Sequence, residues 1–215
     1  MPFAHVNGQK LYYEDTGGDG PVIVFSHGLL MDSSMFAPQV QALRGQWRCI
    51  TWDERGHGQT ADPAHCDPFT YYDSANDLAA LLAHLSVHKA VLAGMSQGGY
   101  LSLRCALTHP ELVRALVLID TQALQEDPQK MAGHEVLVKA WLEGGLSDEI
   151  AAVVAHTILG DGWADAPLWQ AKWKQVTVPN RLQCFTTLGS RDDISDRIGA
   201  ITVPALVVHG ALDHA

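Results

Sequence analysis

The stretch Ala90-Val91-Leu92-Ala93 runs straight into Gly94-Met95-Ser96-Gln97-Gly98, and a helix-forming segment follows at 97–108. Few backbones can turn a buried strand into a helix in so little chain. The turn presses strand against helix, and glycines two positions either side of the serine keep Cβ atoms out of that space. The middle residue is held in a strained conformation, with its Oγ above the sheet at the positive end of the helix. Ser96 is therefore the candidate nucleophile. A hydroxyl in that place attacks a carbonyl once a base takes its proton.

The rest of the chain supplies a sheet around this turn. Apolar runs at 21–26, 48–52, 113–119 and 203–209 alternate with helical patterns at 35–43, 72–85 and 97–108. Such alternation predicts an α/β fold, a largely parallel sheet with helices on both faces. Phe3–Val6 and the run 10–14 flank Asn7-Gly8, a hairpin signal. In 72–85, Leu78, Leu81, Leu82 and Leu85 fall on one helical stripe. Between Asp120 and Ile201 the alternation stops. Helical stretches at 133–143, 148–159 and 165–175 take its place, with Trp163, Trp169 and Trp173 among them. That segment is too long for one crossover. The expected organisation is a core at 1–120, a helical cap at 121–200 and a return to the core at 201–215.

Composition excludes several functions. A chain of 215 residues with 47% hydrophobic content can bury one large core. A net charge of −10 with scattered Lys and Arg argues against a nucleic-acid partner or an anionic membrane surface. No apolar stretch approaches the roughly 18 residues of a membrane span. Met1-Pro2-Phe3-Ala4-His5 carries no signal-peptide pattern. The cysteines, Cys49, Cys66, Cys105 and Cys184, fit no zinc spacing. The expectation is a cytoplasmic protein with reduced thiols, no metal and no cofactor.

Four motifs occur in a fixed order: His27-Gly28, then Asp53-Glu54-Arg55-Gly56-His57-Gly58, then Gly94-Met95-Ser96-Gln97-Gly98-Gly99, then the run 204–213. In this order, over nearly the whole length, the chain resembles the α/β-hydrolases. The resemblance implies a serine nucleophile at Ser96, which disfavours the branches that attack with a carboxylate. It implies an oxyanion hole from the backbone N–H groups of Leu29 and Gln97, with His27 and Gly28 shaping the loop. Asp213 would be the acid, with Asp120 the runner-up. Trp163 and Trp169, with Trp173, would roof a pocket for a small ester or lactone. Carboxylesterases, enol-lactonases, perhydrolases and carbon–carbon hydrolases all share this pattern. The last group holds acidic substrates with arginines, and Arg104, Arg181 and Arg191 are the candidates.

The resemblance also implies a catalytic histidine one strand beyond the acid. None of the eleven histidines stands there. His57 lies in the Arg-Gly-His-Gly turn, His209 ends a strand and is expected to be packed, and His214 adjoins Asp213. His5, His65, His84, His88, His109, His134 and His156 fall on surface or insertion segments. The final strand and helix of the fold are expected to be missing from this sequence. Strand 203–209 would then be an apolar edge open to self-association. Two classes remain: a serine hydrolase, and a small-molecule binding protein that has lost turnover.

Overall fold

The computed structural model describes residues 3–213. Seven strands form one sheet: β1 (Phe3–Val6), β2 (Gln9–Asp15), β3 (Val22–Ser26), β4 (Arg48–Trp52), β5 (Ala90–Met95), β6 (Val113–Ile119) and β7 (Ala205–Val208). Their order is β1-β2-β4-β3-β5-β6-β7. The first two strands pair antiparallel, as the Asn7-Gly8 turn predicts, and β2 runs antiparallel to β4. From β4 to β7 every pairing is parallel.

Register places the functional loops. Ser26 pairs with Gly94, Met95 with Ile119, and Ile119 with Val208. Four neighbouring strands therefore release their chains at one edge, at His27, Ser96, Asp120 and His209.

The central strands are apolar on both faces, as buried parallel strands must be. Along β3, Val24 joins Ile50, Leu92 and Leu116 on one side. Ile23 and Phe25 join Cys49, Val91 and Ala93 on the other. The first face is covered by α2 (Tyr71–His84) and α3 (Gln97–Thr108), whose Leu78, Leu81, Leu82 and Leu101 are fully buried. Thr70 and Asp73 close the start of α2 with reciprocal hydrogen bonds, a capping box. The second face carries a 3₁₀ turn at Ser33–Phe36 and α1 (Ala37–Leu43). The whole of 35–43 reads as helix in the sequence, but its first residues tighten into that turn.

Four helices separate β6 from β7: α4 (Pro128–Gly144), α5 (Asp148–Leu159), α6 (Ala166–Trp173) and α7 (Val178–Gly189). The first three match expected stretches. The fourth is not expected from the sequence, and the residues it buries beside Leu188 are mostly polar, namely Asn180, Arg181 and Thr187 with Cys184. Among the described residues no helix is long and apolar enough to cross a membrane. Beyond the insertion, β7 returns to the sheet with all four residues exposed, Leu206 at 58% and Val207 at 69%.

Two glycine substitutions separate close approach from simple flexibility. A Cβ on Gly98 would overlap the carbonyls of Ser26 and His27, whereas one on Gly133 in α4 meets nothing within 4 Å. Gly98→Ala is expected to destabilise the fold by about 3 kcal/mol. Gly133→Ala is expected to stabilise it by about 0.5–1 kcal/mol, because alanine favours helix. Urea unfolding of both variants checks the pair.

Candidate active site

Ser96 stands at the junction of β5 and α3 with φ 50° and ψ −115°. This is a left-handed conformation that an L-residue holds only when its surroundings enforce it. Enforcement comes from both flanks. Cβ atoms on Gly94 and Gly98 would overlap backbone, the first at Gly98 and the second at Ser26 and His27. Ser96 N–H donates to the Ile119 carbonyl at 3.0 Å. The Ser96 carbonyl accepts from Gly99 N, Tyr100 N and Thr121 Oγ1 at 2.9, 3.1 and 2.8 Å. A serine opening a helix ordinarily caps it with its side chain. Ser96 makes no such bond, so the strained backbone leaves its Oγ uncommitted to the helix.

Two backbone donors stand on the loops that leave this strand and its neighbour. Gln97 is the first residue of α3, and Leu29 follows Gly28 on the loop after β3. These loops leave adjacent strands at the level where Ser26 pairs with Gly94. Neither the Gln97 N–H nor the Leu29 N–H donates to an acceptor among the described residues. Close approach at Gly28, where a Cβ would press on the Met95 sulfur, brings the two loops together.

His27 braces this loop from beneath. It is fully buried, its Nε2 accepts from Glu54 N at 3.0 Å, and its Nδ1–H donates to the Gly28 carbonyl at 2.9 Å. Both nitrogens are thus committed, and the ring works as a brace. Asp53 completes the frame by accepting from Ser33 N and Gln59 N at 2.7 and 2.8 Å. Burial lowers the His27 pKa to about 4. Burial, with His27 alongside, lowers that of His57 to about 3. Both rings are neutral near pH 7. Burial also raises the Glu54 carboxyl well above the usual carboxylate range, which the neighbouring Gln97 amide offsets only in part.

The turn that carries Asp213 hangs from the next two strands. Asp213 is half-buried, and its N–H donates to the Gly210 carbonyl at 3.1 Å. Ligand atoms of Asp120, His209 and Asp213 come within 4.8 Å of one another. His209 is not packed as expected. Its side chain is 63% exposed, with Nδ1 3.0 Å from Asp120 Oδ1. The cause is the open β7 edge, which has no layer above it to bury the ring. Among the described residues no histidine hydrogen-bonds to Ser96. His214 lies outside the described residues.

The tryptophans divide. Trp169 and Trp173 are buried against Leu30 and Met31, and Trp173 Nε1 donates to the Leu30 carbonyl at 2.9 Å. They fasten the inserted helices to the loop that carries Leu29. Trp163 instead stands 42% exposed. A cavity of about 330 Å³ opens between that loop, the His57 turn and helices α6 and α7; Met31, His57, Lys172 and Cys184 are among its lining residues. Sequence reasoning missed Thr121, whose Oγ1 donates to the Ser96 carbonyl. No pattern in the sequence signals that contact. The three candidate arginines are already engaged. Arg104 pairs with Asp192, Arg191 pairs with Glu126, and Arg181 binds the Trp141 and Val176 carbonyls.

The titration of these buried groups gives a stability profile. The native His27 and His57 rings take up protons far below the ordinary histidine value of about 6.5, so the unfolded chain binds more protons between pH 6.5 and 4. Their contribution is complete above pH 6.5 and is lost as pH falls toward 4. The loss is expected to be of the order of 3 kcal/mol per ring. Glu54 has the opposite sign, because its raised pKa makes the native state lose stability as pH rises. In urea unfolding at pH 4.5, 6 and 8, His57→Gln is expected to flatten the acid limb. Glu54→Gln is expected to raise stability most at pH 8.

Comparison with known proteins agrees with this geometry. The family model for the alpha/beta hydrolase fold matches residues 21–215. The chain is 30% identical over 205 residues to a 2-(acetamidomethylene)succinate hydrolase of Mesorhizobium japonicum, covering 90% of this chain and 71% of that protein. It is 28% identical over 200 residues to 3-oxoadipate enol-lactonase 2 of Acinetobacter baylyi, covering 91% and 72%. The crystal structure of the enol-lactonase from Burkholderia xenovorans superposes with a TM-score of 0.80 at 29% identity, over 98% of this chain and 81% of that one. A thermophilic esterase from Thermogutta terrifontis gives 0.77 at 28% identity, over 94% and 75%. With the strained serine between two close-packed glycines, the parallel sheet behind it and a family match over nine-tenths of its length, the chain belongs to the α/β-hydrolases.

Proposed function

We propose that this chain is a serine hydrolase acting on a small carboxylic ester or lactone through an acyl-enzyme. The observation that carries this reading is Ser96 itself. Its φ of 50° goes with an Oγ that makes no helix-cap bond, and Leu29 N and Gln97 N, on the loops after β3 and β5, have no protein acceptor among the described residues. In the proposed reaction the Ser96 hydroxyl proton passes to solvent water as Oγ bonds to the substrate carbonyl carbon, and the carbonyl oxygen takes the negative charge facing Leu29 N and Gln97 N. The bond to the leaving oxygen then breaks, that oxygen takes a proton from water, and a second water hydrolyses the ester on Ser96 to release the acid. One such N–H is typically worth about 2.7–4 kcal/mol to the transition state. Asp213 is proposed as the acid, with Trp169 and the inserted helices as a cap over the substrate. Engagement of Arg104, Arg181 and Arg191 by protein groups supports an uncharged ester or lactone over the acidic substrates of carbon–carbon hydrolases. The enol-lactonase and esterase relatives support the same class.

The weak point of the machine is proton transfer. Among the described residues no histidine accepts from Ser96, so turnover by the 215-residue chain is proposed to be slow, carried by the oxyanion donors and binding. The non-turnover reading, a ligand-binding protein, makes the opposite claim of no reaction. We further propose a cytoplasmic protein whose exposed β7 edge self-associates.

Hydrolysis of p-nitrophenyl acetate and of an unsubstituted lactone separates these readings. Slow release is expected, with a burst of p-nitrophenol from Ser96 acylation that Ser96→Ala lacks, above the background that the oxyanion donors and binding sustain. Added imidazole is expected to accelerate the wild-type chain well beyond the same imidazole with Ser96→Ala. Equal rates for both proteins at every imidazole concentration would leave the binding protein as the better reading.

A further inference from the structure

We propose that Asp120 and Thr121 form a positioning bridge that locks the Ser96 elbow and the Asp213 turn into one geometry. The proposal rests on the reading of Ser96 as nucleophile and Asp213 as acid. It gives Asp120 a role other than that of triad acid.

The bridge begins with backbone. Strand β6 lies between β5 and β7, and its end bonds to both neighbours in succession. Ile119 O accepts from Ser96 N at 3.0 Å, and Asp120 N donates to Val208 O at 2.9 Å. The chain then turns through Asp120, whose φ of 43° is left-handed. Aspartate tolerates this region better than most residues, because its short side chain bonds locally. After that turn the two side chains engage opposite neighbours.

Asp120 serves the acid side. Its Oδ1 accepts from Gly210 N at 2.7 Å and faces His209 Nδ1 at 3.0 Å. Gly210 in turn supplies the carbonyl that receives Asp213 N–H, so the acid turn is suspended from the Asp120 carboxylate. Two carboxylates this close repel one another. The Gly210 N–H placed at Asp120 Oδ1 compensates part of that cost and anchors β7's exit.

Thr121 serves the nucleophile side. Its Oγ1 donates to the Ser96 carbonyl at 2.8 Å. That carbonyl ends the strained residue, so the bond resists rotation of the peptide plane that aims Ser96. The fit is tight, since a Cβ on Gly99 would overlap the Thr121 side chain at three atoms. Gly99 is thus small because Thr121 fills the space beside it. A hydroxyl is required for the bond, while the β-methyl supplies only packing.

The experiment measures acylation of Ser96 by p-nitrophenyl acetate before steady state, together with amide hydrogen exchange, in the 215-residue protein and four variants. Thr121→Val keeps the volume and removes the donor. It is expected to slow acylation at least tenfold with little change in KM, and to speed exchange at Gly99 and Tyr100. Thr121→Ser restores the donor and is expected within about threefold of wild type. Asp120→Ala is expected to speed Gly210 exchange at least tenfold, whereas Asp120→Asn, which keeps an acceptor oxygen, preserves protection. Wild-type acylation in Thr121→Val, equal slowing in Thr121→Ser, or unchanged Gly210 exchange in Asp120→Ala overturns the bridge. If the wild type forms no Ser96 adduct, the hydrolase reading fails separately, and the exchange rates alone decide the bridge.

Discussion

The contact on which the site depends is that of Gly98 with the end of β3. The first turn of α3 packs so closely on the Ser26 and His27 carbonyls that no side chain fits between them. That approach leaves Ser96 no relaxed backbone, and the strain has a consequence for chemistry. A relaxed serine at a helix start spends its hydroxyl on the cap, worth about 1 kcal/mol. Ser96 forgoes that bond and keeps its hydroxyl available. The same contact fixes the distance between the β3 loop and α3, and so the spacing of the Leu29 and Gln97 donors.

Around this contact the protein is braced with neutral or paired groups. His27 and His57 are uncharged by burial, and burial keeps Glu54 protonated to higher pH than a free glutamate. The buried arginines are held by carboxylates or carbonyls. The frame beneath the Leu29 loop is therefore uncharged at its two histidines near pH 7. The inserted helices attach to the same loop through Trp173 and the Leu30 carbonyl, so whatever moves them bears directly on the loop that carries Leu29.

Much of this was legible in the sequence because strands and close approaches leave strong marks. The runs of β3 to β6, the Asn7-Gly8 hairpin and the Gly-x-Ser-x-Gly turn are each set by local sterics. Helix α7 was not legible, since it buries Asn180, Arg181 and Cys184, partners chosen by tertiary contacts and not by periodicity. His209 was assigned to the interior because strand ends in this fold are usually covered, and the open β7 edge removes that cover. Apolar content alone does not separate Trp163, which is exposed, from Trp169, which is buried against Leu30 and Met31. The Thr121 bond to Ser96 O escaped notice for a similar reason, because a single polar contact across elements leaves no pattern.

The central claim is that the backbone of this chain makes Ser96 uniquely reactive among its serines. Incubation with a fluorophosphonate, followed by intact-mass measurement and peptide mapping, tests it directly. The account requires one adduct per chain, carried by the peptide containing Ser96 and absent from Ser96→Ala. An adduct on another residue, or none after prolonged exposure of the folded protein, would contradict it.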